Sequence, residues 1–207
     1  TFAYQADVCV NSRLPADAVG ATKMDRPEWC AVNPANGEIY FTLTNNSNRK
    51  VDATSSSHSV VDSANPRYYT DVKSGTTNQT GNPNGHIIRI AETGSDAAAT
   101  SFKWDVFLFG AESTADGTKV NLSGLTADQD FSSPDGLAFT PSTGICWIQT
   151  DDGAYTDVTN CMMLAALPGL VGDGSKVSLT YTKTDGSTLK VDTFAGKKAT
   201  ADSLKRF

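Results

Sequence analysis

Short runs in which large apolar residues alternate with polar ones dominate this chain, separated by clusters of Gly, Pro, Asn, Asp and Ser. Alternation with a period of two is the mark of half-buried strands, because successive side chains leave a strand on opposite faces. The pattern predicts strands over residues 31–32 and 39–44, joined by the turn Asn33-Pro34-Ala35-Asn36-Gly37. A second pair is predicted over 86–90 and 103–109. A third lies over 137–139 and 146–149, around Pro141-Ser142-Thr143-Gly144. The last hairpin spans 177–183 and 188–194 across Asp185-Gly186, a strong turn signal. Only residues 14–21 and 160–166 read as helical. The fold class is all-β.

Residues 26–40 and 133–147 are copies of one pattern. Pro27 and Pro134, Glu28 and Asp135, Pro34 and Pro141, and Gly37 and Gly144 are each 107 positions apart. Glu28 and Asp135 therefore stand at equivalent sites before equivalent strands. Repeating one hairpin about an axis brings such sites together, and converging carboxylates hold hard cations. Duplication of this kind favours a propeller of antiparallel blades over a sandwich or a closed barrel. The long offset predicts an intervening blade, built from 86–109, so that the two copies would not be neighbours. Once the polar insertions are subtracted, the length suits an arc of a propeller. The chain is read as one domain, residues 1–207. Residues 48–83 form a long polar insertion, a surface excursion or mobile loop.

Charge narrows the partners. The formal net charge of −6 argues against nucleic acid and anionic lipid, since binding phosphate backbones needs a positive field. No apolar run approaches the ~18 residues of a membrane span. The four cysteines are scattered and form no C-x-x-C pair, so zinc-ribbon chemistry is not indicated. Cys30 and Cys146 are expected to be buried and inert. Trp29, Trp104 and Trp147 are expected in the core.

Chemistry concentrates at the hairpin ends. Asp25-Arg26-Pro27-Glu28-Trp29 places a cation and two acids before a strand, with Pro27 fixing the backbone. At the far ends, Thr44-Asn45-Asn46 corresponds to Asp151-Asp152-Gly153, where Asp151 and Asp152 are either ligands or solvated turn formers. Asn82-Pro83-Asn84-Gly85-His86 enters a strand from a tight turn. His86 reads as a ligand, a proton donor or a satisfied edge histidine; spacing favours the last. His58 sits in a serine-rich loop and is expected to be solvated. Nucleophile-elbow, Walker and H-E-x-x-H patterns are missing from the sequence. Metal-assisted hydrolysis suits the residue set best, with acids on hard cations and Arg26 clamping an anionic oxygen.

Taken in order, several of these stretches resemble one family. They are Asp25-Arg26-Pro27-Glu28-Trp29, Val32-Asn33-Pro34, Thr42-Leu43-Thr44-Asn45-Asn46-Ser47 and Asn82-Pro83-Asn84-Gly85-His86-Ile87. Phe102-Lys103-Trp104-Asp105, Ser133-Pro134-Asp135-Gly136-Leu137 and Trp147-Ile148-Gln149-Thr150-Asp151 continue the series. The set resembles the signature of the PhoX-type alkaline phosphatases. That resemblance implies a six-bladed β-propeller, exported by the twin-arginine route to the periplasm or outside the cell. It implies hydrolysis of phosphate monoesters with calcium and iron. Arg26 then corresponds to a phosphate-contacting arginine, and Glu28 and Asp135 to metal ligands. Asn84 and Asp151 fall in matching motifs as further metal residues, and His86 as a catalytic one. Family members are two to three times longer, so the chain is expected to be a segment that needs the remainder of its own propeller and is inactive alone. Two other readings remain open on the residues themselves: a calcium-dependent propeller lactonase or esterase, and a non-catalytic calcium-binding module.

Overall fold

The structure is a computed structural model, and it describes residues 2–73, 77–151 and 161–207. Two short helices come first, α1 (Gln5–Val10) and α2 (Arg13–Ala18). The carboxylate of Asp7 accepts the N–H groups of Ala3 and Tyr4 at 3.2 Å each, which caps the start of α1. Pro15 lies in the first turn of α2, where its missing N–H costs nothing.

Fourteen strands are assigned among the described residues. They begin with β1 (Pro27–Val32), β2 (Ile39–Leu43), β3 (Arg49–Lys50), β4 (Ser59–Val60), β5 (Tyr69–Lys73) and β6 (Thr77–Gly81). Next come β7 (His86–Glu92), β8 (Phe102–Phe109), β9 (Pro134–Phe139), β10 (Cys146–Thr150) and β11 (Met163–Ala166). The chain closes with β12 (Ser175–Thr182), β13 (Thr188–Ala195) and β14 (Leu204–Arg206). The helix expected over 160–166 is instead strand β11 in its described part, paired on both sides by β10 and β14. Sheet pairing overrides the weak local helical signal there.

Two four-stranded antiparallel meanders form the frame. One runs β1-β2-β7-β8 and is extended past β8 by β13, in parallel, and β12 into a six-stranded sheet; the other runs β9-β10-β11-β14. Each is a propeller blade, and the two are built alike. In the first, Pro27 pairs with Leu43 and Cys30 with Phe41. In the second, Pro134 pairs with Thr150 and Leu137 with Ile148. The 107-residue offset carries one register onto the other, including a β-bulge that falls on Glu28-Trp29 in one copy and Asp135-Gly136 in the other. Both sheets are edged by the strand that carries the bulge.

The copies are direct neighbours, which corrects the expectation of a blade between them. Residues 86–109 complete the first blade as β7 and β8, and the length of the offset comes from insertions. Strands β3 to β6 interrupt the first blade between its second and third strands; the β12–β13 hairpin interrupts the second between its third and fourth. Tyr40, Ile87 and Phe107 from the first blade pack on Leu137, Cys146, Ile148, Leu164 and Leu204 from the second. The Tyr40 ring meets Phe107 and Phe139 edge-on, with centroids 5.3 and 5.1 Å away. The β12–β13 hairpin folds back over the opposite side of the first blade. There Leu179 and Ala195 join Leu43, Ile88, Val106 and Phe109 in a second core.

Among its described residues, the polar stretch 48–83 contributes a packed interior as well as exposed turns. Arg49, Asn65, Arg67 and Asn82 are buried in it, so its composition serves a hydrogen-bonded interior. Two other expectations also change. Trp29 is 54% exposed and Cys30 is exposed, because β1 is an edge strand with most of its residues facing solvent. Cys146 is buried as expected, and Cys9, Cys30 and Cys146 are free thiols. Among the described residues no helix is long and apolar enough to cross a membrane.

Candidate active site

Arg26 and Ser133 hold the same unusual backbone state. Their φ angles are +48° and +53°, in the left-handed region that side chains other than glycine rarely adopt. Each directly precedes the proline of its copy. Equivalent hydrogen bonds hold both: Thr44 donates its N–H to the Arg26 carbonyl at 3.2 Å, and Asp151 donates to the Ser133 carbonyl at 2.9 Å. These donors are themselves 107 positions apart. The strained residue turns the chain into the bulge that presents Glu28 or Asp135.

A buried network fixes the first of these turns. Asp25 is fully buried. Its carboxylate accepts Nδ2 of Asn46 at 2.8 Å, Nε of Arg49 at 2.9 Å and Nδ2 of Asn82 at 3.1 Å. Its own N–H reaches Asn65 Oδ1 at 3.0 Å. Arg67 extends the network: it donates to the carbonyls of Gly110, Val120 and Gly85 and to Asn82 Oδ1, with its guanidinium over the rings of Tyr69 and Phe109. Of the two acids in Asp25-Arg26-Pro27-Glu28, the first is thus an anchor and the second faces outward.

Arg26, Glu28, Asp135 and Asp151 come together at the edge shared by the blades. The Arg26 side chain is 57% exposed and lies 3.5 Å from a Glu28 oxygen. Its Nη1 donates to Asn45 Oδ1 at 2.8 Å. The carboxyl of Asp135 is pushed above its ordinary range, first by burial and then by the negative charges of Glu28 and Asp151; Arg26 opposes the shift. Such mutual repulsion is what a bound cation, or a proton, relieves. Trp29 and Trp147, together with Gly136, Gln149 and Met163, line a cleft of about 420 Å³ beside the acids. Glycine stands at 136, where the first copy has Trp29, and a Cβ there would meet Gln149 Oε1 at 2.8 Å.

The other two candidate residues are placed differently. Asn84 is buried behind Ser133, whose N–H its carbonyl accepts at 3.1 Å. Its Nδ2 donates to Asp71 Oδ2 at 2.8 Å, its N–H reaches the Tyr69 hydroxyl at 3.1 Å, and its Oδ1 has no partner. His86 is fully buried and stacked on Phe109. Nε2 lies 2.8 Å from the Ala64 carbonyl and Nδ1 3.0 Å from Asn82 Nδ2, so both ring nitrogens are engaged. Burial lowers its pKa to about 4. His86 therefore belongs to the Asp25 network, in the manner of a satisfied histidine, and is not brought to the acids. Asp152 lies outside the described residues.

Among the described residues no group of three or more His, Cys, Asp and Glu side chains is spaced to hold a metal ion by itself. The acids that do converge are all oxygen donors, the chemistry of calcium. Neither an imidazole nor a thiolate joins them in such a group.

Antiparallel blades that share an edge, where bulges place acids beside an exposed arginine, define part of a β-propeller. The family model for alkaline phosphatase PhoX matches residues 1–205, and the chain belongs to that family. Among solved structures, it is similar to a Pseudomonas fluorescens PhoX in complex with vanadate, a transition state analogue, at 33% identity and a TM-score of 0.60. That match covers 81% of this chain but 27% of the other, so the chain spans about a quarter of that protein's length. No curated protein matches the chain.

Proposed function

We propose that this chain forms part of the catalytic centre of an exported, metal-dependent phosphomonoesterase. One observation carries the reading: an exposed arginine stands beside two bulge-borne carboxylates whose charges oppose one another. Arg26 presents N–H donors in a planar fork that matches the oxygens of a phosphate. Glu28, Asp135 and Asp151 would hold calcium together with oxygen donors from the rest of the propeller, and an ion there would supply Lewis-acid stabilisation of the phosphoryl oxygens. Iron would need donors from outside this set, and no step is derived through it. With ligands incomplete among the described residues, the isolated 207-residue chain has little turnover, and the remainder of the propeller supplies what is missing. Export to the periplasm or the exterior by the twin-arginine route belongs to the same proposal.

Arginine separates this reading from a calcium-dependent lactonase, which needs no anion clamp. The test compares Arg26→Ala with the unsubstituted full-length protein on an aryl phosphate and on a lactone. Loss of phosphate hydrolysis and of inhibition by inorganic phosphate supports the phosphatase. Lactone turnover indifferent to Arg26, with no phosphate hydrolysis in either protein, overturns it.

A further inference from the structure

We infer that Asn45 is a positioning residue that sets the Arg26 guanidinium for phosphate; this rests on the phosphatase reading above. Arg26 is largely exposed, and its ion pair with Glu28 is long at 3.5 Å. Such a contact between exposed groups constrains a long side chain weakly. The contact with Asn45 is different. Oδ1 of Asn45 accepts Arg26 Nη1 at 2.8 Å, while its Nδ2 donates to Ser133 Oγ at 3.2 Å. Ser133 Oγ is itself 3.1 Å from Ser132 Oγ, and both serines are buried. The amide therefore bridges the two strained positions of the repeat, Arg26 in one blade and Ser133 in the next.

Asn45 is held from both sides. Thr44 Oγ1 donates to the Pro134 carbonyl at 2.9 Å, and Asn46 exchanges backbone hydrogen bonds of 3.0 Å with Asn82 while its side chain reaches Asp25. An anchor fixed in this way transmits its position to whatever it bonds. An amide also orients an arginine without neutralising it. A carboxylate at the same place would pair with the guanidinium and compete with the phosphate oxygens for its charge. The sequence follows this logic: the copy with arginine at 26 has Asn45, whereas the copy with Ser133 has Asp at the position equivalent to 45.

The experiment is arginine side-chain NMR on the full-length protein, with inorganic phosphate as the probe and three variants. Asn45→Ala is expected to speed rotation of the Arg26 guanidinium and to weaken phosphate binding at Arg26 about tenfold. Asn45→Asp, which keeps the acceptor, restores slow rotation but still binds phosphate more weakly. Ser133→Ala, which removes only the hydroxyl that steadies the amide, gives a smaller effect of the same sign and serves if Asn45→Ala does not fold. Unchanged rotation and affinity in Asn45→Ala, or in Ser133→Ala where it stands in, with phosphate still shifting Arg26, would overturn the positioning role alone. Failure of phosphate to shift Arg26 in the unsubstituted full-length protein would overturn the phosphatase reading beneath it.

Discussion

Thr42 donates its hydroxyl to the carbonyl of Asp135 at 2.7 Å, so a strand of one blade holds the acid of the next. Two residues on, Thr44 does the same for Pro134 at 2.9 Å, in a fully buried setting. Thr44→Val keeps the shape and strands the Pro134 carbonyl without a partner. The expected loss is about 1–3 kcal/mol of stability, the cost of leaving a buried acceptor unmade. Urea denaturation of the two proteins side by side measures it.

Asp25 and Arg49 form a buried ion pair, with one exposed at 0% and the other at 1% of the side chain. Removing Asp25 leaves the buried Arg49 with Asp62, at 3.5 Å and partly exposed, as its remaining carboxylate. Asp25→Ala should therefore cost about 3–5 kcal/mol, or prevent folding. Replacing both by apolar residues of similar volume should cost less than the single change. Denaturant midpoints of the single and double variants give the comparison. A double-variant loss equal to the sum of the two single losses would show that the residues act independently.

His86 carries a pH signature. Its pKa is lowered from 6.5 to about 4 by burial, so the unfolded chain takes up a proton that the folded chain refuses. Stability from this residue is fully present above the unfolded pKa and is lost as pH falls from about 6.5 towards 4. Nitrogen-15 NMR should find a neutral ring down to about pH 5. The Nε2–H tautomer is expected, because Nδ1 accepts from Asn82 and Nε2 faces a carbonyl. A ring that titrates near 6.5 would place it in contact with solvent.

Calcium should bind at the acid group and depend on both copies of the repeat. Calorimetry on the 207-residue chain is expected to show weak binding, since the described ligands are few for an ion that takes 6–8 oxygens. Glu28→Gln and Asp135→Asn should each reduce affinity about tenfold or more. Binding that survives both substitutions would locate the ion elsewhere.

Much of the frame was legible because it rests on local pattern. The period-two runs marked the strands of the first blade and the first two of the second, and the 107-residue offset held down to the register and the bulge. What the offset meant was misread, because sequence separation cannot tell an intervening blade from insertions inside a blade. Edge exposure was equally hidden: Trp29 and Cys30 have core-like identities but lie on a strand with one neighbour. At the site, Arg26, Glu28, Asp135 and Asp151 were recoverable from their repeated positions. Asn45 was visible only as polar hairpin-end filler, and its bond to Arg26 depends on a three-dimensional approach. Asp25 and His86 were ambiguous for a related reason. Their roles are decided by Arg49 and Asn82, which arrive from the polar insertion. One signal was available there, since arginines and asparagines dense enough to form an interior network are unusual in a solvated loop.

The central claim is that Glu28 and Asp135, from equivalent bulges in adjacent blades, act on one another in a shared acidic centre. Carbon-13 NMR titration of the Asp135 carboxyl tests it directly. Its midpoint should lie above the ordinary 3.8, and in that window the folded chain binds more protons than the unfolded one. The group therefore destabilises the fold as pH rises through its folded pKa. In Glu28→Gln the midpoint should move down, because the second-largest cause of the shift is gone. A midpoint unmoved by Glu28→Gln would show that the two acids do not share a site.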